Sequence, residues 1–269
     1  MKTSDIFEKL WSQYKRKNPA VAEIHELFMQ EGETIINDHI AFRTYDDKRI
    51  NIDVIAKAFI DIGYEYKADY HFEQKHLYAK HFEHKTDKDA PKIFISELIC
   101  SKFSDSLQKS VKALVDKIPK EMFTSPKLIW SGPLWNEPWF ATYEKLRSES
   151  EYAAWLYVYG FCANHFTINI NHLNKYNTVE KVNSFLKEKG YTLNDSGGEI
   201  KGSPKELLEQ SSIKSAIIPV KFKEGIYNIP GCYYEFARRY TDSNGDLYTG
   251  FIAKSADKIF ESTDFYKKE

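Results

Sequence analysis

The residues best suited to chemistry sit in three strand-like runs: NDHIAFRTY at 37–45, NHFTINI at 164–170 and GCYYEFARRY at 231–240. Side chains on a strand alternate between its two faces. His39, Ala41 and Arg43 therefore share one side of the first run, and Ile40 and Phe42 share the other. In the second run His165, Thr167 and Asn169 lie together, opposite Phe166, Ile168 and Ile170. In the third, Tyr233, Glu235, Ala237 and Arg239 line up. Two histidines and one carboxylate converging from these faces would make a set that binds non-haem Fe(II) and leaves three coordination positions open. Each residue lies on its own run, and no short motif joins them. A polar, solvent-facing strand edge accounts for the same spacing.

Other clusters compete. His76, His81 and His84 fall within HLYAKHFEHK, which lacks the HExxH spacing that puts two histidines on one helical face, so they read as structural or surface residues. Glu97 in KIFISELIC mirrors Glu235 as a carboxylate in a closing strand and is a candidate ligand in its place. No Gly-x-Ser-x-Gly elbow is present. Cys162, three residues before His165, would face away from it on a strand.

The elements needed to position these residues occur twice. After helices over the first 31 residues, a strand at 34–45 is followed by a helix at 52–62 that closes at Gly63, then by strands at 64–72, 76–82 and 92–99. A second strand at 164–170 is followed by a helix at 178–189 closing at Gly190, a short helical stretch near 204–208, and strands at 215–222 and 232–239. His39 precedes its glycine by 24 residues (39 to 63) and His165 by 25 (165 to 190). A βαβββ unit used twice predicts an α+β chain built on a vicinal-oxygen-chelate-like barrel, with half-units at 34–100 and 162–240 in a single domain spanning 1–269. Between them, 101–161 reads as a helical insertion, with helices at 107–118 and 143–159 around a Trp- and Pro-rich plug at 125–140.

Composition narrows the function. With 38 Lys and Arg against 39 Asp and Glu, the net charge is −1, which supplies no cation excess for a generic nucleic-acid binder. No apolar run approaches the length of a membrane span, and the N-terminus has no signal-peptide pattern. Cys100, Cys162 and Cys232 form no CxxC pair and suit reduced thiols in the cytoplasm. Only 12 glycines are present and no GxGxxG or GxxxxGK[ST] occurs, which argues against a glycine-loop nucleotide binder.

The strings NDHIAFRTY, HFEHK, PKIFISEL, ANHFTINI and GCYYEFARR resemble the family once called domain of unknown function 1338, whose members are described as Fe(II)-dependent 2-oxoadipate dioxygenase/decarboxylases. The resemblance runs over nearly the whole chain. It implies a vicinal-oxygen-chelate-like barrel holding Fe(II) through His39, His165 and Glu235. It also implies Arg43 as the substrate-gripping residue beside the ligands His39 and His165. The implied reaction takes a 2-oxo diacid and O2, for 2-oxoadipate giving 2-hydroxyglutarate and CO2. Arg239, four residues after Glu235 on the same face, is a second candidate for the distal carboxylate, or else a structural ion-pair partner. Two other readings stay open. A glyoxalase-like lyase or isomerase would need a fourth protein ligand such as Glu97, and a non-catalytic binding barrel would hold no metal.

Overall fold

A computed structural model describes residues 3–253. The chain opens with two helices, α1 (Thr3–Lys17) and α2 (Pro19–Gln30), separated by Asn18-Pro19, where proline's fixed φ starts the second helix. The first half-unit follows: β1 (Asn37–Tyr45), α3 (Ile52–Ile60), β2 (Tyr64–Phe72), β3 (Leu77–His84) and β4 (Lys92–Leu98). The insertion contributes α4 (Asp105–Val115), α5 (Phe140–Glu149) and α6 (Glu151–Tyr159). The second half-unit then runs β5 (Ala163–Asn169), α7 (Val179–Glu188), β6 (Lys201–Ser203), β7 (Leu208–Ser212), a hairpin of β8 (Ile217–Phe222) and β9 (Gly225–Pro230), and β10 (Glu235–Arg239). Side-chain caps start the helices where the sequence supplies them. Asn51, Ser104, Ser150 and Thr178 each accept a backbone N–H of the first turn, a contact contributing about 1 kcal/mol.

Eight strands form one sheet in the order β2-β3-β4-β1-β5-β10-β7-β6. Each half therefore has the same topology: the outer three strands fold back so that the last pairs in parallel with the first, β4 with β1 and β10 with β5. The halves join through the antiparallel pair β1–β5, where His39 lies opposite Thr167 and Ala41 opposite His165. That symmetric pairing is the pseudo-twofold of a vicinal-oxygen-chelate-like barrel, left open here as a curled sheet.

Packing differs on the two faces. The outer face carries the alternate apolar residues of β1, β5 and β10 against helices: Phe42 on Phe59 of α3, Phe166 on Trp11 and Tyr14 of α1, Phe236 on Phe28 of α2. The inner face holds the polar residues, and α6 lies along it. Tyr45 donates to the Ala153 carbonyl, Ser96 Oγ lies 2.9 Å from the Tyr152 hydroxyl, and Trp155 Nε1 donates to Gly231 O. Every residue of α6 after Glu151 is buried, so a helix without an amphipathic stripe finds apolar surroundings on all sides.

Three expectations need correction. The helix expected at 143–159 is two, broken at Ser150, whose hydroxyl caps α6. The helical stretch near 204–208 is a single turn at Pro204–Glu206, and the chain then enters β7. The run at 215–222 belongs to the separate β8–β9 hairpin, and β7 holds the barrel position expected of it.

Candidate metal centre

β1 and β5 turn His39 and His165 inward from adjacent strands, and β10 brings Glu235 in from the next. All three are buried, and their ligating atoms lie within 4.8 Å of one another. Nε2 of His39 is 3.4 Å from Nε2 of His165 and 3.4 Å from Glu235 Oε1; Nε2 of His165 is 3.3 Å from Glu235 Oε2.

The residue just before each histidine decides which ring nitrogen faces this point. Asp38 Oδ1 lies 2.8 Å from His39 Nδ1, and Asn164 Oδ1 lies 3.0 Å from His165 Nδ1. An acceptor at Nδ1 holds the proton there, so both Nε2 lone pairs point inward. Two imidazole lone pairs and a carboxylate aimed at one another repel unless a cation sits between them. The carboxylate shows the same preparation: Gln210 donates to Glu235 Oε1, while the buried Oε2 accepts no hydrogen bond. An unsatisfied buried carboxylate oxygen is costly, and a bound cation removes that cost. The donor set therefore fits a divalent metal ion.

The electrostatics of the two histidines differ. Burial pushes the His165 imidazole well down, helped by His39 and Arg43, which favours its neutral form. For His39 burial pulls down, but the Glu235 carboxylate and the Asp38 hydrogen bond raise it overall. Burial would raise the Asp38 carboxyl, yet Arg239 and His39 hold it well below the usual carboxylate range.

Arg43 shares the inner face, four residues along from His39. Its guanidinium lies 4.9 Å from the ring centroids of both Tyr152 and Trp155 of α6. Contact with two aromatic rings restricts the fork, and two-point recognition of a carboxylate benefits from that. Arg239 has different surroundings. Nε and Nη2 donate to the two oxygens of Asp38 at 2.7 and 2.9 Å, and Nη1 donates to the carbonyls of Gly250 and Tyr248. Of its two expected roles, these contacts match the ion-pair partner rather than the distal-carboxylate ligand.

Glu97 does not enter the site. It lies on the opposite face of β4, where Oε2 accepts the Ile52 N–H at the start of α3, so the expected mirror of Glu235 is a helix cap. The register identifies the true counterpart. His39 pairs with Lys92 and Ala41 with Phe94, while Thr167, two residues beyond His165, pairs with Glu235. Phe94 thus stands where the second half has Glu235, and no fourth ligand closes the site among the described residues.

Of the competing histidines, His84 binds the Ile62 carbonyl and His76 sits in a turn with φ 52°. His81 is buried on the inner face, between the Tyr70 hydroxyl at 2.9 Å and Glu83 at 3.0 Å. Sequence reasoning missed Asp38, Asn164 and Gln210. The first two carry a visible signal, since each ligand histidine directly follows a side-chain acceptor (Asp-His, Asn-His). All three cysteines are free, and among the described residues no helix is long and apolar enough to cross a membrane.

Comparison with known proteins agrees with this geometry. A family model described as 2-oxoadipate dioxygenase/decarboxylase matches residues 6–243. The chloroplastic 2-oxoadipate dioxygenase/decarboxylase of Arabidopsis thaliana is 34% identical, over 93% of this chain and 74% of that one. Among solved structures, one from Shewanella frigidimarina is 49% identical with a TM-score of 0.88, covering 93% of this chain and 97% of that one. The hydroxyglutarate synthase of Oryza sativa, in complex with 2-oxoadipate, is 30% identical with a TM-score of 0.89, covering 97% and 91%.

Proposed function

The chain belongs to the 2-oxoadipate dioxygenase/decarboxylase family, and we propose that it uses Fe(II), held by His39, His165 and Glu235, to convert 2-oxoadipate and O2 into 2-hydroxyglutarate and CO2. The observation that carries this reading is the convergence of two Nε2 atoms and an orphaned carboxylate oxygen on one buried point with no fourth protein ligand. Bound there, Fe(II) supplies the redox chemistry that lets O2 react with a 2-oxo acid.

The reaction balances without a second organic substrate. The bond between the carboxylate and keto carbons breaks, and CO2 leaves. One oxygen atom of O2 completes the new carboxylate on the former keto carbon, and the other becomes the hydroxyl on its neighbour. The protein's own groups do the positioning. Arg43, packed on the Tyr152 and Trp155 rings, grips a substrate carboxylate with two parallel N–H donors. Asp38 and Asn164 keep the Nδ1 protons in place, so that both imidazoles present Nε2 to the metal. The aromatic inner face excludes water from the centre, where Phe251, Phe94 and Tyr233 surround the ligands. Free thiols and the lack of a membrane-spanning helix among the described residues are compatible with the cytoplasm, the compartment we propose.

The test is anaerobic loading with Fe(II), followed by O2 uptake and CO2 release on adding 2-oxoadipate. Stoichiometric consumption and release with formation of 2-hydroxyglutarate supports the reading. Rates no higher than those of Glu235→Ala overturn it for this substrate.

A further inference from the structure

Arg239 heads the fully buried side chains among the described residues by size, and it stands between the metal centre and the chain that follows β10. One edge of its guanidinium makes the two-point pair with Asp38, whose Oδ1 also meets His39 Nδ1. The remaining nitrogen, Nη1, reaches the carbonyls of Tyr248 and Gly250 at 3.2 and 2.7 Å. Those carbonyls belong to a short strap that crosses from the second half-unit to the first. Its Phe251 ring lies 5.1 Å from the guanidinium carbon and perpendicular to His39, with ring centroids 4.9 Å apart. The same ring packs on Phe94 at 4.8 Å, and the Phe251 N–H donates to the Tyr70 hydroxyl, itself 2.9 Å from His81 Nδ1.

We infer that Arg239 is a positioning residue that clamps the strap Tyr248–Phe251 onto the metal centre while orienting His39 through Asp38, so that seating the strap and aiming His39 Nε2 are a single event. Only a forked, permanently charged donor can serve a carboxylate and two carbonyls at once, and a lysine ammonium lacks that plane. Lifting the strap removes both carbonyls, wets the Asp38 pair and uncovers the face of His39. Each of these changes loosens the ring that must present its lone pair. The inference rests on the metal-binding role of His39.

Co(II) serves as the probe, because affinity and visible absorption report ligand geometry without turnover. Hydrogen exchange over 248–253 reports the strap. Arg239→Ala is expected to weaken Co(II) binding about ten- to hundredfold, the usual cost of losing a partner behind a ligand, and to speed exchange in the strap. Guanidinium in the buffer is expected to restore both together, and Arg239→Lys to restore neither fully. Phe251→Ala leaves Arg239 and Asp38 in place, and is expected to weaken Co(II) by about tenfold while loosening the strap. It carries the test alone if Arg239→Ala fails to fold. Faster strap exchange in either variant with wild-type Co(II) affinity and spectrum overturns the coupling. Failure of the wild-type protein to bind Co(II) would instead overturn the metal reading itself.

Discussion

The two half-units share a topology and divide the labour. Superposing them through the β1–β5 pairing matches His39 with His165, Arg43 with Asn169 and Phe94 with Glu235. Only the histidine is common to both. The second half adds the carboxylate and its Gln210 donor, while the first adds the cation and an aromatic wall. Had both halves kept a carboxylate at the matched position, the centre would have four protein ligands, as the lyase-like alternative requires. Phe94 in that position withholds a fourth protein ligand, so the two halves depart from symmetry at the centre itself.

Substitutions at matched positions test this division, beginning with the largest effect. Glu235→Ala is expected to abolish both metal retention and O2 uptake. Phe94→Ala at the matched site is expected to keep the metal and to cost about 3–5 kcal/mol of stability in urea unfolding. Equal metal loss in the two variants would break the comparison. Phe94→Glu should sharpen it, because a fourth ligand is expected to bind Co(II) more tightly than wild type while ending turnover. Unchanged affinity with surviving turnover would show that the two positions do not superpose in function.

Arg43→Lys is expected to retain the metal and raise the KM for 2-oxoadipate or stop turnover, since a lysine cannot hold the two-point geometry. Asn169→Ala, its counterpart, should leave KM unchanged and cost roughly 1 kcal/mol, because Asn169 Oδ1 caps the following turn at Asn171. Loss of the metal in Arg43→Lys would mean that the residue supports the centre and not the substrate.

Glu97→Gln should have the smallest effect. Burial lifts the Glu97 carboxyl above its ordinary value, against the opposing pull of the Ile52 N–H. The folded chain therefore holds that proton more tightly than the unfolded chain does. Stability from this group falls as pH rises from the ordinary carboxylate value through the raised one. A series of Tm measurements across mildly acidic pH is expected to show a shallower fall in Glu97→Gln, with metal affinity unchanged. A change in metal affinity would reopen Glu97 as a ligand.

Much of the centre was legible because a strand writes its faces into alternate positions. The polar-inward pattern of His39-Ala41-Arg43 and His165-Thr167-Asn169 survives in the structure residue by residue. β7 was illegible for the opposite reason. Its residues, LEQSS, are buried yet mostly polar, and Gln210 among them donates to Glu235. No apolar alternation marks such a strand. The run IIPVKF looks far more like a strand and lies outside the barrel sheet, in the β8–β9 hairpin. Glu97 misled through composition. A carboxylate in the last strand of each half looked equivalent, but only register shows that the two point to opposite faces.

The pairing of β1 with β5 has a kinetic consequence. Its central residues are separated by 126 positions, with the rest of the first half-unit and the whole insertion between them. Contacts this distant along the chain repay their loop-closure entropy late, and chains dominated by them fold slowly. Each half can assemble its local strands before the other is in place. The metal-binding set, drawn from both halves, is therefore complete only once they have paired.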